Sequence, residues 1–267
     1  MPFSISEMLD AMSNCNSKSP GPDDIPFCFI KNLPSNSMNQ LLQIYNLIWE
    51  KGFYSDSWRK AIIIPIPKPD KNRFNKTNYR PISLISTLSK LLEKMVNKRL
   101  IWHIEVTKHL LNNQCGFRRN HSTLDHIVSL HTDICNAMNT KQHLILIALD
   151  LKRAYDMVWR NRVLPIIQKW GITGKIFTFL NNFLTNRSIQ VKAHNHLSNA
   201  HPTKNGLPQG SVLSVTLFLI TIHDIFNQIQ KPTKHIIFAD DCYIYCSGSN
   251  INTTLEILNK SLHSSQE

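Results

Sequence analysis

The chain has 267 residues, 42% hydrophobic and 18% charged, enough to bury a sizeable core in one large domain or two small ones. Thirty lysines and arginines against 18 aspartates and glutamates give a formal net charge of +12. Such an excess points to a polyanion, because neutralising phosphates releases condensed counterions. An anionic membrane surface is the alternative, but no basic amphipathic segment with a clean aromatic face stands out. No signal peptide is visible at Met1-Pro2-Phe3-Ser4, and the longest apolar run, from Val212 to Ile222, is too short to span a bilayer. The six cysteines have no paired spacing and read as free thiols in a reducing compartment, and the twelve histidines make no zinc spacing with them. A soluble, intracellular protein is expected, with no membrane partner.

In chain order, Ser6 to Met12 predicts a short helix, followed by a breaker-rich loop from Asn14 to Pro26. Leu41, Leu42, Tyr45, Ile48 and Trp49 recur at helical spacing over Met38 to Gly52, where the glycine ends the helix. Ala61 to Lys68 is rich in β-formers, but Pro65 and Pro67 predict a sheet edge or an irregular strand. Leu88, Leu91, Leu92, Met95, Val96 and Leu100 form one helical stripe, with Lys90, Lys94, Lys98 and Arg99 on a solvated face. A loop from Asn113 to Thr123 precedes a helix over Leu124 to Met138. Ser122 and Asp125 have capping-box spacing, and Ile127, Val128, Ile134 and Met138 mark the expected buried side.

His143 to Asp150 is a continuous apolar run ending in a carboxylate, expected as a strand buried on both faces. Helices are predicted from Trp159 to Lys169 and from Lys175 to Leu184, a strand from Ser188 to Ala193, and a tight loop from Asn205 to Gly210. A long apolar helix over Ser211 to Gln230 follows. Ile236 to Phe238 and Cys242 to Cys246 then read as the two strands of a hairpin with Asp240 and Asp241 at its tip. A final helix begins at Asn250.

The Asp-Asp tip by itself reads equally as a solvated turn or as a place for a cation. Asp150 by itself could cap the next helix. Together, the hairpin and the strand ending at Asp150 should pair in one sheet. Three carboxylates so placed can hold two divalent cations about 4 Å apart, and oxygen ligands with open positions suit Mg²⁺.

Several segments carry a resemblance. Phe238-Ala-Asp-Asp241, Ala148-Leu-Asp-Leu-Lys-Arg-Ala-Tyr-Asp156, Gly206-Leu-Pro-Gln-Gly-Ser-Val-Leu-Ser214 and Gln114-Cys-Gly-Phe-Arg118 with Ser122-Thr123 are joined by Asn78-Tyr-Arg-Pro-Ile-Ser-Leu84 and Ser19-Pro-Gly-Pro-Asp23. In this order they resemble the boxes of the reverse transcriptase domain of non-LTR (LINE-type) retrotransposons, closest to the Jockey-like group, and they cover almost the whole chain. The resemblance implies an α+β right-hand polymerase fold: a fingers region over 1–142 and a palm region over 143–267, whose antiparallel sheet packs on helices. It also implies that the palm is incomplete at its C-terminus, and that thumb and endonuclease regions would belong to a full-length element protein.

The implied activity is RNA-directed DNA polymerisation, adding dNTPs to a DNA 3′-hydroxyl on an RNA template by two-metal phosphoryl transfer. The alternative is a truncated, inactive fragment that only binds nucleic acid. Asp150 and Asp240 would ligate two Mg²⁺ (Mn²⁺ being the other candidate), with Asp241 in support and the Leu151 carbonyl as an extra ligand. Lys68 and Arg80 would hold the triphosphate, Tyr155 would gate the sugar, and Gln209 would contact nucleotide or template. Gly206 and Gly210 would let backbone approach the nascent pair, and Arg118 and Arg119 would meet template backbone. A nuclear location is implied without a targeting signal. Val215, Asp24 and Tyr155 stand where the family usually has proline, glycine and phenylalanine.

Overall fold

The computed structural model describes residues 1–13, 15, 19–151 and 153–264. The chain runs α1 (Ile5–Ser13), α2 (Phe27–Lys31), α3 (Ser35–Lys51), β1 (Lys60–Pro67), β2 (Tyr79–Leu84), α4 (Thr87–Val106), α5 (Thr123–Asn139) and β3 (His143–Asp150). It continues through α6 (Ala154–Met157), α7 (Arg160–Lys169), α8 (Gly174–Leu184), β4 (Ser188–Ala193), β5 (His196–Leu197) and β6 (His201–Pro202). It ends with α9 (Val212–Phe226), β7 (Lys234–Phe238), β8 (Asp241–Gly248) and α10 (Ile251–Ser264). It divides into two compact units: Met1–His103 with Tyr155–Leu217, and Ile104–Ala154 with Phe218–Glu267. Part of the loop expected over Asn14 to Pro26 lies outside the described residues.

The first unit holds a five-stranded sheet in the order β2-β1-β4-β5, with β6 also pairing β4. The prolines of β1 lead one to expect an edge, yet the strand is internal where it lacks proline. β4 pairs in parallel with Lys60 to Ile63 only. Pro65 and Pro67 fall in the half paired to β2 alone, opposite Pro81 and Tyr79, where no β4 partner misses their N–H. The helices build the core. Gly52 ends α3 in the left-handed conformation, φ 62°. Tyr54 meets Phe179 and Phe183 edge-on at 5.6 and 5.8 Å, and Leu91, Leu92, Met95, Val96 and Leu100 of α4 are buried. Asp23 caps α4, accepting from Ser86 Oγ at 2.6 Å and the Thr87 amide at 3.1 Å. The basic face of α4 is less solvated than its pattern suggests: Lys98 pairs with Asp10 at 2.8 Å, and Arg99 reaches Glu7 at 2.8 Å while lying 4.0 Å over the Phe3 ring.

The second unit holds an antiparallel sheet in the order β3-β8-β7, with α5 packed on β3 and α10 on β3 and β8. Two expectations are corrected here. β3 is an edge strand of a three-stranded sheet, and each of its residues is half-buried or exposed, so it is not buried on both faces. α5 turns its expected core side outward: Ile127 is 60% exposed, Val128 62% and Met138 71%, with Ile134 also exposed. Its buried residues are His126 and Ala137, because the His126 ring docks on the Asn113 carbonyl at 3.0 Å and edge-on to Phe238. The capping box of Ser122 and Asp125 is present, and α9 ends four residues before the expected Gln230. All six cysteines are free, and among the described residues no helix is long and apolar enough to cross a membrane.

Candidate active site

β7 and β8 are joined by a two-residue turn, since Phe238 pairs with Asp241 and leaves Ala239 and Asp240 to reverse the chain. Positive φ at Ala239 (58°), and not at Asp240, is the pattern of a type II′ turn, whose hand matches strand twist and whose first position favours glycine. Alanine adopts it at a cost of roughly 1–2 kcal/mol. The loop before α5 supports this turn from behind. The Cys115 amide donates to Ile237 O at 3.1 Å, the Ile237 amide donates to Asn113 O at 3.1 Å, and Asn113 Nδ2 donates to His235 O at 2.6 Å. Gly116 then abuts the tip itself, where a β-carbon would stand 2.2 Å from the Ala239 nitrogen and 2.9 Å from the Phe238 carbonyl carbon.

Asp150 lies directly opposite Asp241 in the β3–β8 register. Opposed residues of antiparallel strands project on one face, so the two carboxylates face the same way, with Asp240 beside them in the turn. All three are exposed. Among the described residues no ion pair reaches any of them, although like charges placed opposite each other are destabilising. Their field is felt at Cys242, whose thiol is pushed up to about 12 by burial first and then by Asp241 and Asp240. Oxygen donors without a basic partner fit a hard divalent cation. The three aspartates are not drawn into one tight cluster. Among the described residues, the trio of His, Cys, Asp or Glu ligand atoms within 4.8 Å of one another is Cys115, His121 and Asp125, brought together despite the lack of zinc spacing in the sequence. Leu151 is half-buried, and Lys152 of the same box lies outside the described residues.

The first unit contains Lys68, Arg80, Tyr155 and the Gly206–Gly210 loop. Gly206 has φ 82°, and a β-carbon on it would lie 2.7 Å from Asp156 O. Its amide donates to Val158 O, and the Leu207 amide donates to Tyr155 O, both at 2.8 Å. Buried Arg160 grips the approach to the loop, donating to the carbonyls of Thr203 at 2.8 Å, Asn205 at 3.0 Å and Gly206 at 2.5 Å. Burial first, and Arg187 second, bring its guanidinium down to about 10, still charged at neutral pH. At the far end Gly210 has φ 129°, and a β-carbon there would lie 2.6 Å from Ser83 O. The Ser83 amide donates to Gln209 O at 2.7 Å, so the loop docks on β2, the strand that carries Arg80. Arg80 is exposed opposite Ile66. Lys68 follows Ile66 by two residues and so shares that face, with its Nζ 3.4 Å from Thr77 O.

Buried Glu93 secures the residues that follow the loop. Its Oε2 accepts from Ser211 Oγ and, at 3.2 Å, from the Val212 amide. Its Oε1 accepts from Ser89 Oγ at 2.9 Å and Tyr54 Oη at 3.4 Å. Sequence reasoning missed both Glu93 and Arg160. A carboxylate inside the stripe Leu91, Leu92, Met95 was the available signal for the first; nothing in the pattern marks the second.

Arg118 and Arg119 separate. The Arg118 side chain is 8% exposed and ion-paired to Glu105 at 2.7 Å, with Nη1 donating to Leu111 O at 2.8 Å and Gln114 O at 3.0 Å. That bond to Arg118 leads in holding the Glu105 carboxyl below its usual range, against burial. Arg118 therefore braces the loop behind the hairpin, while Arg119 is exposed.

Residues 66–266 match the family described as Reverse transcriptase (RNA-dependent DNA polymerase). The chain is 30% identical over 258 residues to the probable RNA-directed DNA polymerase from transposon BS of Drosophila melanogaster, covering 94% of this chain and 28% of that protein. It is 30% identical over 240 residues to the RNA-directed DNA polymerase from mobile element jockey of the same species, covering 88% and 26%. Against the jockey polymerase of Drosophila funebris the identity is 29% over 273 residues, covering 100% of this chain and 30% of the relative. The chain thus spans under a third of the length of these relatives.

Proposed function

The chain belongs to the reverse transcriptase (RNA-dependent DNA polymerase) family, and from that premise we propose that it carries the catalytic part of an RNA-directed DNA polymerase of a non-LTR retrotransposon. It would add dNTPs to a DNA 3′-hydroxyl on an RNA template. The observation that carries this reading is the cross-strand pairing of Asp150 with Asp241, beside Asp240 and without a basic partner among the described residues. In this reading the β3-β8-β7 sheet belongs to a palm over 143–267, and residues 1–142 serve as fingers.

Asp150 and Asp240 would hold two Mg²⁺, or Mn²⁺, with Asp241 keeping the local charge negative and the Leu151 carbonyl adding a ligand. When bound, such ions supply a more acidic 3′-hydroxyl and neutralise charge on the departing pyrophosphate. Arg80 would grasp triphosphate oxygens through its two-pronged guanidinium, and Lys68 would add a point charge on the same strand face. The Tyr155 ring would fill the space a 2′-hydroxyl needs, which selects deoxynucleotides. Gln209 would meet the nucleotide or template from a loop whose glycines let main chain come close. Arg119 would take template phosphates, joined by Arg118 only if its bond to Glu105 gives way.

Primer extension on an RNA template with dNTPs and Mg²⁺ tests the proposal. Incorporation should fall by more than about a hundredfold in Asp150→Asn, the several kcal/mol a bound metal contributes to the transition state. Unchanged extension would remove the metal assignment. RNA binding with no incorporation by the wild type would favour the alternative of a binding fragment.

A further inference from the structure

We infer that Cys115, His121 and Asp125 form a transition-metal site, suited to Zn²⁺, that braces the loop behind the Asp240 hairpin. One ligand atom from each lies within 4.8 Å of the other two. Five residues lie between Cys115 and His121 and three between His121 and Asp125, a spacing that marks no zinc motif in the sequence, and the loop's own conformation brings them together. Phe117 and Asn120 both adopt positive φ, 60° and 63°, and turn the chain back so that His121 returns toward Cys115.

The donor set separates this site from the aspartates. A thiolate, an imidazole and a carboxylate are zinc's characteristic ligands, whereas Mg²⁺ and Ca²⁺ take oxygen alone. Three protein ligands leave a fourth tetrahedral position for water. Two of the three are already fixed. Cys115 is buried, and its amide is bonded to Ile237 O. Asp125 caps α5, accepting from the Ser122 amide at 2.7 Å through Oδ2, which leaves Oδ1 for a metal. The nearby positive charge, Arg118, is ion-paired to Glu105 and so opposes a cation less than a free guanidinium would. Among the described residues the Cys115 thiol's one hydrogen-bond contact is to Asn112 O at 4.0 Å, so coordination breaks no strong bond there. Binding exchanges the thiol proton for the metal: the S–H bond breaks, a metal–sulfur bond forms and one proton leaves to solvent.

An occupied site would tie the segment that abuts Ala239 to the first turn of α5. This inference stands apart from the polymerase proposal, because it rests on a different set of side chains and is read by spectroscopy.

Titration with Co²⁺ tests it, since a thiolate ligand gives a sulfur-to-cobalt charge-transfer band. The wild type should show the band, and Cys115→Ser should lose it. His121→Ala and Asp125→Asn, the latter keeping the helix cap, should each weaken Co²⁺ binding by about tenfold or more. Cys28→Ser, at an exposed cysteine in the other unit, should leave the band intact. A wild type without the band, a folded Cys115→Ser that keeps it, or loss of the band in Cys28→Ser would overturn the site. If Cys115→Ser does not fold, undiminished binding by a folded His121→Ala protein overturns it equally.

Discussion

The Ala239 nitrogen lies 2.2 Å from the point a β-carbon on Gly116 would occupy, so main chain meets main chain directly behind the turn that carries Asp240. Only a residue without a side chain allows this approach. Gly116→Ala should push the loop and the hairpin apart, at a cost of about 1–3 kcal/mol in thermal or urea unfolding. In a polymerase assay the proposed metal role of Asp240 requires the loss to appear in kcat more than in the KM for dNTP. Wild-type stability in the alanine variant would mean that the contact yields freely.

Gly210 presents a similar restriction at a different place. Its φ of 129° is unfavourable for any side chain, and a β-carbon would lie 2.6 Å from Ser83 O. Gly210→Ala should lift Gln209 from β2 and break the Ser83 amide bond. The expected result is a fall of about a hundredfold in kcat/KM for dNTP incorporation, the scale of a misplaced positioning group. A matched assay with Gly171→Ala is the control for backbone strain alone, since that residue also has positive φ, 74°, but a β-carbon there meets nothing within 4 Å.

Glu93 is 0% exposed and serves four donors, two of them at Ser211 and Val212. Glu93→Gln keeps the shape but turns an amide toward donors that need an acceptor. Urea unfolding should show a loss of about 1–3 kcal/mol, the cost of a buried group left without its partner. Glu93→Leu removes the acceptor altogether, and although Tyr54 Oη and Ser89 Oγ, 2.7 Å apart, can still bond to each other, it should cost more than Glu93→Gln.

The contrast between α3 and α5 shows what the sequence could convey. Gly52 ends α3 where the pattern places it, because a left-handed cap is a local property of one residue. The apolar stripe of α5 is just as regular, yet it faces solvent. Periodicity locates a stripe on a helix but carries no information on which neighbour covers it, and here a histidine and an alanine are better matched to Asn113 and β3. The pairing of Asp150 with Asp241 was legible as a shared sheet, since each ends or begins a recognisable strand. Glu93 with Ser211 and Arg160 with Gly206 were not, because buried polar contacts between distant segments leave no periodic trace. The closeness of Cys115, His121 and Asp125 was hidden for a related reason: it depends on two positive-φ residues at non-glycine positions.

His235 makes stability depend on pH. Burial first and His223 second lower its imidazole from the usual 6.5 to about 4, and its buried Nε2 has no partner among the described residues. The folded protein therefore binds a proton here less readily than the unfolded chain. Its contribution is fully present above pH 6.5 and is lost as pH falls from 6.5 through 4. His235→Phe keeps a ring against Phe226, whose centroid is 5.5 Å away. Melting temperatures measured across this range should fall less steeply in the variant than in the wild type.

Arg118 and Arg119 are adjacent in sequence and should fail in opposite ways. Arg118 makes an ion pair and two carbonyl bonds inside its own unit, so Arg118→Ala should cost roughly 1.5–3 kcal/mol of stability, the range for hydrogen bonds to charged groups. Because its guanidinium is already engaged, the salt dependence of RNA binding should not change in slope. Arg119 is exposed, and among the described residues it makes no ion pair. Arg119→Ala should leave the melting temperature within error and reduce the slope of log K against log salt by about one phosphate contact. The two measurements on the two variants give four results, and each has a required sign. A reduced slope in Arg118→Ala would show that the Glu105 pair opens when nucleic acid binds, and an unchanged slope in Arg119→Ala would remove that side chain from the template path.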